Sequence, residues 1–165
     1  MTIQFGQICP VPHLDLVKGS PFHLTLANLV EESEEYTEFY SNEDSIQIMD
    51  NTAFKMYKQG RDMYESDKLV EMGTRVGADY IALSDYPAEP GFKTIEAAER
   101  MACDVKDAGF GTFFIPQSNI NDMVDLVETY LWAAQSELVD YIGFSILAIP
   151  NASGVEKGNK LQRFA

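Results

Sequence analysis

Three polar side chains stand at the ends of short apolar runs. Asp50 follows Ser45-Ile46-Gln47-Ile48-Met49, Asp85 follows Tyr80-Ile81-Ala82-Leu83-Ser84, and Gln117 follows Thr112-Phe113-Phe114-Ile115-Pro116. Each apolar run reads as a strand, and each is followed by a helix-like segment. In parallel α/β folds the carboxyl ends of the strands open onto one face, where ligands bind, so the recurrence predicts one shared site. A carboxylate there can move a proton or accept N–H donors, and a primary amide offers donors and an acceptor to a planar heterocycle. Asn51 belongs to the same turn as Asp50. Gly143 lies in a later strand, where glycine often marks close approach of a ligand or another backbone. Phe54, Tyr86 and Phe144 neighbour these positions and are either stacking surfaces for a flat ligand or rim and core packing.

Each polar residue also has a local reading. Asp50 caps the segment after Asn51, Asp85 initiates a turn before Tyr86-Pro87, and Gln117 is a loop amide satisfied by backbone. The recurrence at equivalent positions links them. His13 and His23 have no acidic or cysteine partner at metal-ligand spacing and read as structural. The sequence contains no P-loop, dinucleotide fingerprint, nucleophile elbow or Cys/His zinc pattern, so neither cofactor nor metal is implied.

The elements that must position these residues alternate with a period near 30 residues. Strands are predicted at Phe22–Ala27, Ile46–Met49, Tyr80–Leu83, Thr112–Ile115 and Tyr141–Ile149. An acidic helix spans Leu29 to Tyr40. Ser66 caps a helix carrying Leu69, Val70, Met72 and Val76, which Gly77 ends. Thr94 opens a helix whose Ile95, Ala98, Ala102 and Val105 share one face, and Gly109 closes it. Asn119 or Asn121 caps a helix with Met123, Leu126, Val127, Tyr130 and Ala134 on one side. The segment from Asn159 to Ala165 reads as the first turns of another helix.

With 165 residues the chain fits one domain with a real core. Its net charge of −14 favours solubility and repels polyanions. No Lys or Arg lies between Lys18 and Lys55, an interval containing Glu31, Glu32, Glu34, Glu35, Glu38, Glu43 and Asp44; it is a solvated helix face or a surface for a basic partner. No run approaches the roughly 18 apolar residues of a membrane span, and the amino terminus lacks the pattern of a signal peptide. The two cysteines, Cys9 and Cys103, are far apart in sequence, which points to a reducing, cytoplasmic setting. Five βα units permit a complete doubly wound domain or an incomplete (β/α)₈ barrel, which typically needs about 250 residues. Polar ends on successive strands and a chain that stops inside a helix favour the barrel. Residues 1–165 are then the amino-terminal part of one barrel domain, with unsatisfied sheet edges that call for a partner or self-association.

Several segments together resemble the tRNA-guanine transglycosylase superfamily, most closely its phage branch that inserts 7-deazaguanine bases into DNA. They are Leu24-Thr25-Leu26-Ala27-Asn28-Leu29-Val30, Ile48-Met49-Asp50-Asn51-Thr52-Ala53-Phe54, Gly77 to Asp85, Phe114-Ile115-Pro116-Gln117 and Tyr141-Ile142-Gly143-Phe144. The resemblance implies a (β/α)₈ barrel that exchanges guanine for a 7-deazaguanine in DNA, or less closely in tRNA. It implies Asp50 as general acid/base near the leaving base, Asp85 pairing with the guanine amidine edge, Gln117 reading the base from its other side, and the Gly143 backbone lining the pocket. Asn51 and Phe54 would complete the base-binding set. The target nucleotide would have to leave its stack, in the host cytoplasm if the protein is phage-encoded. The family nucleophile, an aspartate on a later strand, has no counterpart here, and basic residues near the end are confined to Lys157, Lys160 and Arg163. The chain thus resembles the amino-terminal, base-recognition portion of a transglycosylase: a truncated gene product, one part of a split enzyme that a companion chain would complete, or a fragment. A purine-binding module without chemistry and an unrelated partner-binding α/β domain are the other readings.

Overall fold

The computed structural model describes residues 6–155. The helix expected over Asn159–Ala165 and the basic residues Lys157, Lys160 and Arg163 lie outside the described residues. A 3-10 segment, Val11–Val17, leads into strand β1 (Phe22–Leu26). There follow helices α1 (Ala27–Glu32) and α2 (Glu34–Ser41), strand β2 (Ile46–Asp50), and helices α3 (Ala53–Gln59) and α4 (Ser66–Val76). Next come β3 (Tyr80–Ala82), α5 (Gly91–Asp107), β4 (Gly111–Phe114), α6 (Met123–Gln135), β5 (Tyr141–Ile142) and α7 (Ala148–Ala152).

The five strands form one parallel sheet in chain order, β1-β2-β3-β4-β5. Right-handed crossovers between sequential parallel neighbours place their helices on the same face, and α1, α4, α5 and α6 pack side by side along it. Thr25, Met49, Ile81 and Thr112 lie in register and are buried towards that layer. The apolar faces of the helices meet them: Leu69, Met72 and Val76 of α4, and Ala98, Met101, Ala102 and Val105 of α5, are all buried. The opposite face has no such cover. Leu24, Ile48, Tyr80 and Phe113 are partly exposed there, and Tyr141 is exposed. A doubly wound sheet reverses strand order and carries helices on both faces. Neither feature occurs among the described residues, so the complete doubly wound alternative does not describe them.

The sheet is locked at its amino-terminal end by two equivalent carboxylates. Asp79, just before β3, accepts the Gln47 N–H of β2 at 2.8 Å. Asp140, just before β5, accepts the Thr112 N–H of β4 at 2.8 Å. The tyrosines that follow, Tyr80 and Tyr141, meet edge to face at 4.9 Å. Gly111 makes room for this pair, since a Cβ there would lie 2.3 Å from the Tyr80 ring.

Several boundaries differ from the sequence expectation. The acidic helix is broken at Ser33, whose backbone is extended (φ −139, ψ 113) and whose side chain accepts the Tyr36 N–H to start α2. Ala27 opens α1 rather than ending β1. Ser66 does not cap α4; Glu65 holds the cap position and the Ser66 hydroxyl donates to Asp104 at 2.6 Å. Thr94 lies inside α5, where its hydroxyl accepts the Tyr86 N–H. The cap of α6 is Asp122, not Asn119 or Asn121, and it accepts the Asp125 N–H. That helix buries Leu126, Thr129 and Ala133, while Met123, Val127 and Ala134 are exposed. The fifth strand stops after Ile142: the Gly143 N–H still donates to Phe114, but Ser145 then accepts the N–H groups of Leu147 and Ala148 and turns the chain into α7.

Burial tends to raise the Asp140 carboxyl, but hydrogen bonds from the Thr112 N–H and from Lys106 outweigh it and hold the group below its ordinary value. Asp140→Asn should therefore lower the unfolding free energy by about 1–2 kcal/mol in urea titrations near neutral pH. Because the folded state favours the ionised form, this difference should shrink as pH falls through the carboxylate range.

Candidate functional site

The carboxyl ends of the strands open into a cleft of about 960 Å³. Asp50, Asn51, Phe54, Asp85, Gln117 and Gly143 all line it, whereas Tyr86 does not. Asp50 is the last residue of β2 and shares a register row with Leu26 on the uncovered face of the sheet. Its Oδ1 accepts the Thr52 N–H at 2.6 Å, so the capping role and the position in the cleft coexist.

Asn51, Asp85 and Gln117 are all buried, with 3–5 % exposure. The Asn51 amide donates to the Leu83 carbonyl and, at 2.8 Å, to Asp85 Oδ1. Its oxygen accepts the Ala53 N–H at 2.8 Å. The Gln117 amide donates to the other Asp85 oxygen, Oδ2. Asn51 thus holds Asp85 in place, and its amide bonds to the Leu83 carbonyl, Asp85 and the Ala53 N–H. Gln117 bonds to a carboxylate, not to backbone.

Burial pushes the Asp85 carboxyl up to about 7; the hydrogen bond from Asn51 opposes this, the charge of Asp50 adds to it, and the bond from Gln117 opposes it. Asp50 is also raised by burial, against the Thr52 N–H. Carboxyl groups shifted towards neutrality by burial are suited to holding or moving a proton at physiological pH.

Gly143 lines the cleft, but its backbone groups face protein partners. Its N–H donates to Phe114 at 2.7 Å and its carbonyl accepts the Tyr130 hydroxyl at 3.2 Å. The close approach is to Phe113, whose ring would lie 2.6 Å from a Cβ at this position. The mouth is aromatic and apolar. Phe54 is exposed, with the Lys58 ammonium 4.2 Å above its ring, and Phe144 stacks on Tyr130 at 5.2 Å. The sequence reading did not include Tyr57, Lys58, Ile120 and Ile146, which also line the mouth. For Tyr57 and Lys58 the signal was their spacing of three and four residues from Phe54.

Backbone strain gathers here as well. Among the described residues the non-glycine positions with positive φ are Thr52, Ala88 and Asn121. Thr52 and Ala88 line the cleft, and Asn121 follows Ile120, which also lines it. For β-branched Thr52, φ 57 is costly, and its buried hydroxyl has no hydrogen-bond partner among the described residues. Among those residues no group of three or more His, Cys, Asp or Glu could hold a metal ion, and no helix is long and apolar enough to cross a membrane.

The chain matches no family model, and a comparison with curated proteins gives no match.

Two stability measurements test this geometry. Because folded Asp85 holds its proton up to about pH 7, against an ordinary value of 3.8, the folded state binds more protons in that window and loses stability as pH rises through it. Asp85→Asn removes the titration. Its unfolding free energy relative to wild type should climb between about pH 4 and 7, by on the order of 3 kcal/mol. Thr52→Gly should raise stability by about 1 kcal/mol in thermal or urea unfolding, since it removes the left-handed strain and the orphaned hydroxyl.

Proposed function

We propose that this cleft is the base-recognition site of a guanine transglycosylase-like protein acting on DNA, or less closely on tRNA. The observation that carries the reading is the convergence of Asp50, Asp85 and Gln117, from three successive strand ends, in one cleft. The surrounding architecture fits five consecutive units of a (β/α)₈ barrel: strands in chain order, helices on one face and a site at the carboxyl end. Absence of a family match leaves the resemblance resting on these residues and their placement.

In this reading the Asp85 carboxylate accepts two parallel N–H bonds from the amidine edge of guanine or a 7-deazaguanine, and Gln117 meets the neighbouring carbonyl edge. Asp50, partly exposed and raised by burial, exchanges a proton with the leaving or entering base. Phe54 and Phe144 offer rings at the mouth, where an extruded base would enter. No cofactor or metal enters the scheme. The residues of this cleft serve recognition and proton transfer in this reading, and base exchange would also call on a nucleophilic carboxylate of the kind the resembled family uses.

A barrel completed around this sheet would also cover apolar surface. Val124, Val127 and Leu131, spaced along one flank of α6, are 69, 48 and 55 % exposed, and β5 has no strand partner beyond β4 among the described residues. A companion chain or another copy of the protein, in the cytoplasm, would supply the cover.

Calorimetric titration with 7-cyano-7-deazaguanine, with guanine as comparison, tests the reading. Wild type should bind and Asp85→Ala should not. Affinity should fall about tenfold per pH unit below about pH 7, because only the ionised Asp85 accepts both donors. A folded wild-type sample that binds neither base would sink the proposal.

A further inference from the structure

The two amides that hold Asp85 are not equivalent. Asn51 is fixed by the backbone, since it donates to the Leu83 carbonyl and accepts the Ala53 N–H while it donates to Asp85 Oδ1. It cannot leave Asp85 without breaking the turn that starts α3. Gln117 has no such anchor. Among the described residues its side chain bonds to Asp85 Oδ2 alone, and it hangs from a loop after β4 on a longer, rotatable stem. Both Asp85 oxygens are therefore occupied in the unliganded site, one by a fixed donor and one by a donor free to turn.

We infer that Gln117 is a latch that competes with the ligand for Asp85 and thereby sets specificity: a ligand must displace the Gln117 amide from Oδ2 and then give it a new acceptor. This deepens the base-binding reading above and rests on it. A ligand with two adjacent N–H donors can take over the carboxylate. Displacement leaves the Gln117 amide N–H in a buried setting, where an unpaired donor is unfavourable. A carbonyl beside the ligand's donor pair, as in guanine-type bases, re-pairs that amide. A cyclic guanidine without a carbonyl does not. The latch thus discriminates by what it loses, through one residue that touches the carboxylate in the free state and the ligand carbonyl in the bound state. Guanine-type bases are admitted, and simpler amidine-like molecules, which Asp85 alone would welcome, are held back.

The test compares wild type with Gln117→Ala, using 7-deazaguanine and 2-aminobenzimidazole as probes at about pH 8.5, where Asp85 is ionised and the second probe is largely neutral. The latch predicts that wild type prefers 7-deazaguanine by about tenfold or more. In Gln117→Ala, 2-aminobenzimidazole should bind several-fold more tightly than to wild type, and the preference should collapse towards unity. If Gln117→Ala weakens both probes alike, or leaves 2-aminobenzimidazole unchanged, Gln117 does not compete and the inference is overturned. A second readout needs no ligand. The Asp85 carboxyl, followed by carbon-13 NMR, should titrate at higher pH in Gln117→Ala, because a donor to the ionised form is lost. An unchanged titration overturns the latch. A shifted titration with neither probe bound by wild type would keep the contact and reject the base-binding reading, so the two failures are distinguishable.

Discussion

Parallel strands cannot be joined by hairpins, and that constraint organises this molecule. Each strand must be followed by a crossover, and right-handed crossovers between sequential neighbours place the helices on one side. The strand ends then accumulate at one end of the sheet, so residues more than 30 positions apart, such as Asn51 and Asp85, become hydrogen-bond partners. The Asp79 and Asp140 clamps serve the same arrangement. Each ties the start of one strand to the backbone of the strand before it.

The site separates two aspartates of the same chemistry by their surroundings. Asp85 lies below the surface between two amides, while Asp50 stands at the mouth with a single backbone donor on Oδ1. One is held in a fixed orientation, and the other is partly exposed. The turn after Asp50 contains the left-handed backbone of Thr52 and the Asn51 side chain, which braces Asp85. Precision at the carboxylate and strain in the turn beside it belong to the same local design.

The strand cores and their polar ends were legible because β-branched and aromatic runs with a polar terminus have few competing readings. The phase of α6 was not. Met123, Val124, Leu126, Val127, Tyr130, Leu131 and Trp132 put apolar groups on most of its circumference, so spacing alone does not select the buried face. The break at Ser33 and the early end of β5 at Ile142 depend on side-chain bonds to backbone, from Ser33 and Ser145, which compete locally with helix and strand. The sequence pointed to Asn51 as part of the site. Its role as a brace required knowing that the Leu83 carbonyl and the Ala53 N–H face it.

A sheet in which every strand pairs with its immediate predecessor has a consequence for how it assembles. No strand waits for a partner made much later, so each βα unit can dock on the one before it as the polypeptide leaves the ribosome. At each stage the growing edge is the strand made last, beside an uncovered apolar face. Strand order of this kind permits assembly in one direction from the amino terminus, with the exposed template moving along the chain as synthesis proceeds.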